Sequence, residues 1–190
     1  MIRCPCCGRK IEIITKTYKV PYFNEILLIS FVCECGFRHA ETIATKIEEP
    51  VRFKIKINKD NLDVKIVRSN SGAIKIPELG INIEPGPASQ AFITNLEGIL
   101  HRVKDVVESV LKLCESKKAE SRCKSILKRI KNTMEGKDEL TLILEDPFGN
   151  SLIASDKAIR EKLNEKEIKK LRTGFTVFEV LKYKNEKKQF

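Results

Sequence analysis

Cys4-Pro5-Cys6-Cys7-Gly8, answered downstream by Cys33-Glu34-Cys35-Gly36, is the stretch that decides how the front of this chain folds. Each half is a cysteine-rich turn that closes on Cys-Gly, and a hairpin-length segment separates the two. This is the sequence form of a zinc ribbon. Zinc takes four thiolates at about 2.3 Å in a tetrahedron, and each turn can deliver two. Glycine after the last cysteine allows φ > 0 where backbone amides fold toward sulfur. A module this short buries too little apolar surface to fold alone, so a bound metal must supply the missing free energy.

The two turns differ in spacing. Cys4 and Cys7 are Cys-x-x-Cys, whereas Cys33 and Cys35 are Cys-x-Cys. Counting back from Cys35-Gly36, the usual first ligand falls at Val32, which binds no metal. Cys33 therefore takes that place through a tightened turn. The expected metal ligands are Cys4, Cys7, Cys33 and Cys35, with Cys6 and His39 as reserves. Disulfides or free buried thiols are the competing reading. Cys-x-Cys alone is weak evidence for metal, but beside Cys-Pro-x-Cys-Gly it favours metal.

The chain has 190 residues, room for one ordinary domain and a small appended module. Met1 leads into Cys4 with no apolar leader, and the run Ile26 to Val32 is too short to span a membrane. The expectation is a cytoplasmic protein without membrane partners, where reduced thiols favour metal over disulfides. Cys114 and Cys123 read as small apolar core residues. The net charge of +10 admits nucleic acid, ribosome or an acidic protein surface as partner. Basic residues are mixed with Glu, however, as on a solvated surface, and only Lys182 to Lys188 forms a basic tail. With no Trp and few aromatics, platforms for base stacking are scarce.

Residues 11 to 32 read as two strands joined by a turn at Val20-Pro21-Tyr22-Phe23-Asn24. Tyr22 and Phe23 at its tip are a candidate contact surface. Residues 37 to 50 read as a bridge, with the ribbon over 1–42 and a β-rich domain over 43–190. In that domain Val51, Phe53, Ile55 and Ile57 alternate with polar residues, and Leu62, Val64 and Ile66 suggest a hairpin partner. Short strands at 74–76 and 81–83 lie between Gly/Pro turns, arguing for a sandwich or barrel-like domain. At about 92–136 the period becomes helical: Ile93 to Leu113, then Cys123, Ile126, Leu127, Ile130 and Met134, with Thr94 or Asn95 as cap and Gly136 as terminator. The fold class is thus mainly β with an inserted α-hairpin. Leu140 to Leu144 resumes the strands, 145–150 is a turn, and Ser151 to Ala154 returns. Asp156 to Arg172 reads as a charged, helix-leaning connection, and Phe175 to Leu181 as a last strand.

Enzyme signatures are missing from the sequence. It has no phosphate-cradling Gly-rich loop and no nucleophile elbow. Glu78, Glu84 and Asp146 fall in turn regions, where carboxylates are usually solvated or cap amides. Four thiolates fill a zinc ion's positions and leave none for water, so the metal reads as structural. The expectation is a binding protein, not an enzyme.

Several motifs together resemble the ZPR-type zinc-finger protein family. They are Cys-Pro-x-Cys-Gly, then Val20-Pro21-Tyr22-Phe23-x-Glu25, Ser30-Phe31-x-Cys33 and Cys35-Gly36-Phe37-Arg38. In the second domain they continue with Arg68-Ser69-x-Ser71-Gly72-x-Ile74-x-Ile76-Pro77-Glu78-Leu79, Glu84-Pro85-Gly86, Thr94-Asn95-x-Glu97-Gly98 and Leu142 to Ser151. The resemblance covers most of the chain and implies a zinc ribbon followed by a double-stranded β-helix domain with a helical hairpin. The single copy looks like the archaeal form. It further implies one structural zinc, binding to translation elongation factor one-alpha and assistance in that factor's folding. The contact candidates are Tyr22, Phe23, Arg38 and the loop Ile76, Pro77, Glu78 and Leu79. RNA or the ribosome is the alternative partner. The second cysteine turn departs from the family's usual Cys-x-x-Cys.

Overall fold

The computed structural model describes residues 2–21, 24–44, 48–86 and 89–171, which fall into two units, Met1–Glu48 and Glu49–Phe190. Tyr22, Phe23, the last strand expected at Phe175 to Leu181 and the Lys182 to Lys188 tail lie outside the described residues.

In the first unit, β1 (Glu12–Val20) pairs antiparallel with β2 (Asn24–Val32), from Glu12 opposite Val32 to Val20 opposite Asn24. β2 pairs in turn with β3 (Arg38–Ala44), Phe31 lying opposite His39. The bridge expected at 37–50 therefore begins with a third ribbon strand. Its sequence, RHAETIA, has no apolar alternation. The sheet is thinly covered: Glu12 to Lys19 are all exposed. Among the described residues the buried apolar ones are Cys4, Ile11 and Cys33, with Phe31 and Phe37 against them.

The second unit contains two antiparallel sheets and a helical hairpin. One sheet has the order β11-β4-β9-β6-β7: β4 is Val51–Ile57, β6 Ala73–Ile76, β7 Ile81–Ile83, β9 Leu140–Asp146 and β11 Ile159–Lys162. The other has the order β10-β5-β8: β5 is Lys65–Arg68, β8 Phe92–Asn95 and β10 Leu152–Ile153. A single apolar cluster draws Ile57, Ile74 and Leu142 from one sheet and Ile66 and Ile153 from the other. Alternation along β4 sends Val51, Phe53, Ile55 and Ile57 inward, as the sequence pattern requires.

Strand partnership differs from the sequence reading in two places. β4 and β5 form no hairpin, because β4 pairs with β9 and β11 while β5 pairs with β8 and β10. Likewise the segment after the 145–150 turn does not return along β9 but crosses to β5. In a two-sheet domain a chain that turns can change sheets, and alternation reports which face is buried but not which strand lies alongside. The region expected to be helix-leaning between Asp156 and Arg172 holds β11 and the short helix α3 (Glu165–Ile168).

The hairpin consists of α1 (Leu96–Leu113) and α2 (Lys117–Met134), inserted between β8 and β9. Asn95 caps α1 by accepting from the Gly98 amide at 2.8 Å, and Ser116 caps α2 by accepting from the Ala119 amide at 3.1 Å. Gly136, at φ 80°, ends the pair in the left-handed region. Leu96, Ile99, Leu100 and Val103 of α1 and Cys123 and Ile130 of α2 enter the main core.

Where the two sheets meet, Asp146 is fully buried. Its Oδ2 accepts from the Ser69 and Ser151 hydroxyls, both at 2.7 Å, and its Oδ1 from the Ser71 hydroxyl at 2.8 Å and the Phe148 amide at 2.9 Å. Next to it, Glu145 is bound by Arg52 at 2.5 Å and Lys75 at 2.6 Å. Burial pushes the Glu145 carboxyl up, but Lys75 and Arg52 outweigh it and hold it below the ordinary range.

Asp146→Ala leaves three buried hydroxyls without their acceptor and is expected to cost about 3 kcal/mol, read as a fall in the denaturant midpoint. Asp146→Asn, which keeps one acceptor oxygen, should cost less. The ion pairs on Glu145 contribute fully above the ordinary glutamate pKa of about 4.3 and lose their contribution as pH falls through the lower folded value. Acid titration of Glu145→Gln should therefore show a shallower loss of stability below that pH than the unaltered chain.

Candidate metal centre

Each cysteine turn is built from its own backbone. In the first, the Gly8 amide donates to the Cys4 carbonyl at 2.9 Å and the Cys4 amide to the Arg9 carbonyl at 2.8 Å, with Arg3 bridged to Lys10. In the second, the Gly36 amide donates to the Cys33 carbonyl and the Cys33 amide to the Phe37 carbonyl, both at 3.0 Å. Gly8 (φ 71°) and Gly36 (φ 93°) both lie in the left-handed region, which a side chain would disfavour. The second turn closes one residue tighter than the first. This accounts for Cys-x-Cys: the missing residue is absorbed by the turn, and both second cysteines still precede the left-handed glycine.

The turns bring the sulfurs of Cys4, Cys7, Cys33 and Cys35 within 4.8 Å of one another. Cys4 and Cys35 are 3.6 Å apart, and Cys7 and Cys33 are 3.5 Å apart. A tetrahedron with metal–sulfur bonds of about 2.3 Å has sulfur–sulfur edges of about 3.8 Å, so the donor set fits zinc in chemistry and in size. Cys4 and Cys33 are buried, Cys7 and Cys35 exposed.

The electrostatics of the thiols follow from their crowding. Burial pushes the Cys4 thiol up, but backbone hydrogen bonds from Cys6 and Cys7 and the nearby Cys35 and Cys33 thiols prevail and bring it to about 6. A backbone hydrogen bond at Cys35 pulls Cys33 down, while burial and the sulfurs of Cys35, Cys7 and Cys4 push it to about 12. A first negative charge is welcomed, whereas further ones repel each other. A divalent cation at the centre removes that repulsion, and its binding expels the remaining protons.

Cys6 is exposed and lies outside this grouping. His39 also lies outside it: its Nε2 is 3.2 Å from Glu41, and its ring sits 5.9 Å from that of Phe31. Among the described residues, these four thiols are the metal-competent grouping.

Of the expected contact residues, Arg38 is exposed at the start of β3. Ile76 (0% exposed) and Leu79 (4%) are buried in the main core. Apolar packing at the end of β6 claims both. Pro77 and Glu78 are exposed. Glu78 also has structural work: its carboxylate accepts from the Thr141 hydroxyl at 2.6 Å and amide at 3.1 Å, and its carbonyl accepts from Arg129 at 2.8 Å. The sequence reading missed the role of Asp146, a fully buried anchor and not a solvated turn acid. Three serines around one aspartate, at 69, 71 and 151, were its only trace.

Comparison with known proteins covers both units. The family model for the ZPR1 zinc-finger domain matches residues 1–49, and that for the ZPR1 jelly-roll domain matches residues 60–173. A ZPR1-like protein of Methanocaldococcus jannaschii is 35% identical over 181 residues, covering 93% of this chain and 91% of the relative. A ZPR1-like protein of Pyrococcus horikoshii is 39% identical over 178 residues, covering 90% and 80%. The zinc finger chaperone zpr1 of Schizosaccharomyces pombe is 29% identical over 158 residues, covering 79% of this chain and 34% of the relative.

Cys6→Ser is expected to retain bound zinc in elemental analysis, whereas Cys7→Ser loses most of it. Loss of the ion from Cys6→Ser would make Cys6 a ligand. A chelator is expected to abolish the amide-resonance dispersion of residues 1–48 and leave that of the β-rich unit, which has its own core.

Proposed function

This chain belongs to the ZPR1 zinc-finger family, and from that premise we propose that it is a zinc-stabilised docking protein for translation elongation factor one-alpha that assists the factor's folding. One zinc ion, held by Cys4, Cys7, Cys33 and Cys35, cross-links the two turns and carries no reaction. The observation that bears most weight is the matching of both units, in order, to zinc-finger and jelly-roll domains of one family with a relative named as a chaperone. Binding without catalysis is supported by the donor set. Four thiolates complete a zinc ion's coordination and leave no position for a reacting water. The buried carboxylates are also committed, Asp146 to hydroxyls and Glu145 to Arg52 and Lys75.

The contact residues proposed are Arg38, Tyr22 and Phe23 of the first unit and, as a separate patch, the exposed Pro77 and Glu78 of the second. Ile76 and Leu79 support the Pro77-Glu78 turn from beneath. The site of action proposed is the cytoplasm, where thiols stay reduced. Among the described residues no helix is long and apolar enough to cross a membrane.

Tagged chain, mixed with purified elongation factor one-alpha in nucleotide-free, GDP and GTP forms, should retain the factor in at least one form. Arg38→Glu should weaken that retention roughly tenfold, as loss of one desolvated charge contact does. Failure to retain the factor in any form would refute the proposal.

A further inference from the structure

The two helices of the hairpin have the same length but opposite electrostatic character. α1 is balanced, with Arg102, Lys104 and Lys112 against Glu97, Asp105 and Glu108. α2 carries seven cations and a single carboxylate, Glu120. At 3.6 residues per turn, Cys123, Ile126, Ile130 and Thr133 point toward the core, and the opposite ridge consists of Ser121, Ser125 and Asn132. The cations fall into two rows on either side of that ridge. Lys117, Lys124, Lys128 and Lys131 form one, and Lys118, Arg122 and Arg129 the other. The rows are about 130° apart around the helix and run for roughly 20 Å along it.

Part of this charge is compensated locally. Lys124 faces Glu120, Lys131 faces Glu135 at 3.7 Å, and Arg129 is held by Asp138 at 2.8 Å. Lys117, Lys118, Arg122 and Lys128 make no ion pair among the described residues, and all four are exposed. Repulsion between unpaired cations on one helix lowers its stability, so an anion-free α2 carries a cost that a polyanion would remove.

We propose that the outer face of α2 is a docking surface for double-stranded RNA, an activity separate from binding an elongation factor. Two parallel cationic rows flanking a polar ridge complement two phosphate strands flanking a groove. The ridge selects which groove. Ser121, Ser125 and Asn132 include no Arg or Lys, the side chains that most often read base edges in a B-form major groove. In the wide, shallow minor groove of an A-form helix, 2′-hydroxyls lie at the surface, and hydroxyl and amide side chains can pair with them. The surface thus reads backbone shape and 2′-hydroxyls, without sequence preference.

The test uses the full chain and a fluorescent RNA duplex of about 16–20 bp, with anisotropy followed between about 50 and 200 mM salt. A duplex DNA of the same sequence and polyglutamate serve as competitors. The quadruple variant Lys117→Gln, Lys118→Gln, Arg122→Gln, Lys128→Gln keeps residues of good helix propensity. It should bind at least tenfold more weakly, with a salt slope reduced by about 3. A control that removes the same charge elsewhere, Lys16→Gln, Lys19→Gln, Lys157→Gln, Lys166→Gln, should bind within about twofold of the unaltered chain. On the unaltered chain, amide shifts on adding the duplex should concentrate in α2. No binding at low salt, equal loss in both variants, shifts away from α2, or competition by DNA or polyglutamate as effective as by RNA would each overturn the proposal.

Discussion

Four sulfurs held within 4.8 Å of one another repel once they ionise, and among its described residues the first unit buries little apolar surface besides. Three small or medium apolar residues, Cys4, Ile11 and Cys33, make up its buried cluster among the described residues, and two of these belong to the metal-competent group. Its sheet faces water along the whole of Glu12 to Lys19. Hydrophobic burial at that scale cannot offset the chain entropy of ordering it. The same crowding that pushes Cys33 to about 12 is what a divalent cation would reverse, so a bound cation would stabilise the folded ribbon.

The second unit depends on a different constraint. Its apolar cluster spans both sheets and both helices, and polar anchors fix the places where strands change sheets. Asp146 gathers Ser69 and Ser71 from one turn and Ser151 from another, satisfying the carboxylate with hydroxyl donors. Glu145 lies one residue away on the opposite side of β9 and takes the other solution, pairing with Arg52 of β4 and Lys75 of β6. Alternation along one strand thus sends successive carboxylates to different partners. The Pro77-Glu78-Leu79 turn is secured similarly: Leu79 is buried, while Glu78 reaches Thr141 and Arg129. A surface turn fixed on three sides costs little to present to a partner.

Local patterns made much of this readable in advance. The cysteine turns, the helical hairpin and the inward face of β4 each follow from spacing within a few residues. The ribbon's third strand, Arg38–Ala44, was hidden because Arg38 to Thr42 are exposed on both faces and period-2 alternation is absent. The separation of β4 from β5 was hidden for another reason. Pairing is non-local, and β4 finds its neighbours around residues 140–146 and 159–162. Asp146 could not be distinguished from a solvated turn carboxylate, since two of its three hydroxyl donors, Ser69 and Ser71, lie in a turn 77 and 75 residues earlier and leave no spacing rule. Cys-x-Cys was legible as a ligand pair only by allowing for a tighter turn, and the Gly36-to-Cys33 hydrogen bond supplies it.

Zinc-edge X-ray absorption on freshly isolated, reduced protein reads the donor set of the four-thiol centre. A single shell of four sulfurs at about 2.3 Å and one ion per chain are expected. A shell containing nitrogen or oxygen, or folded ribbon without any ion, would contradict this reading.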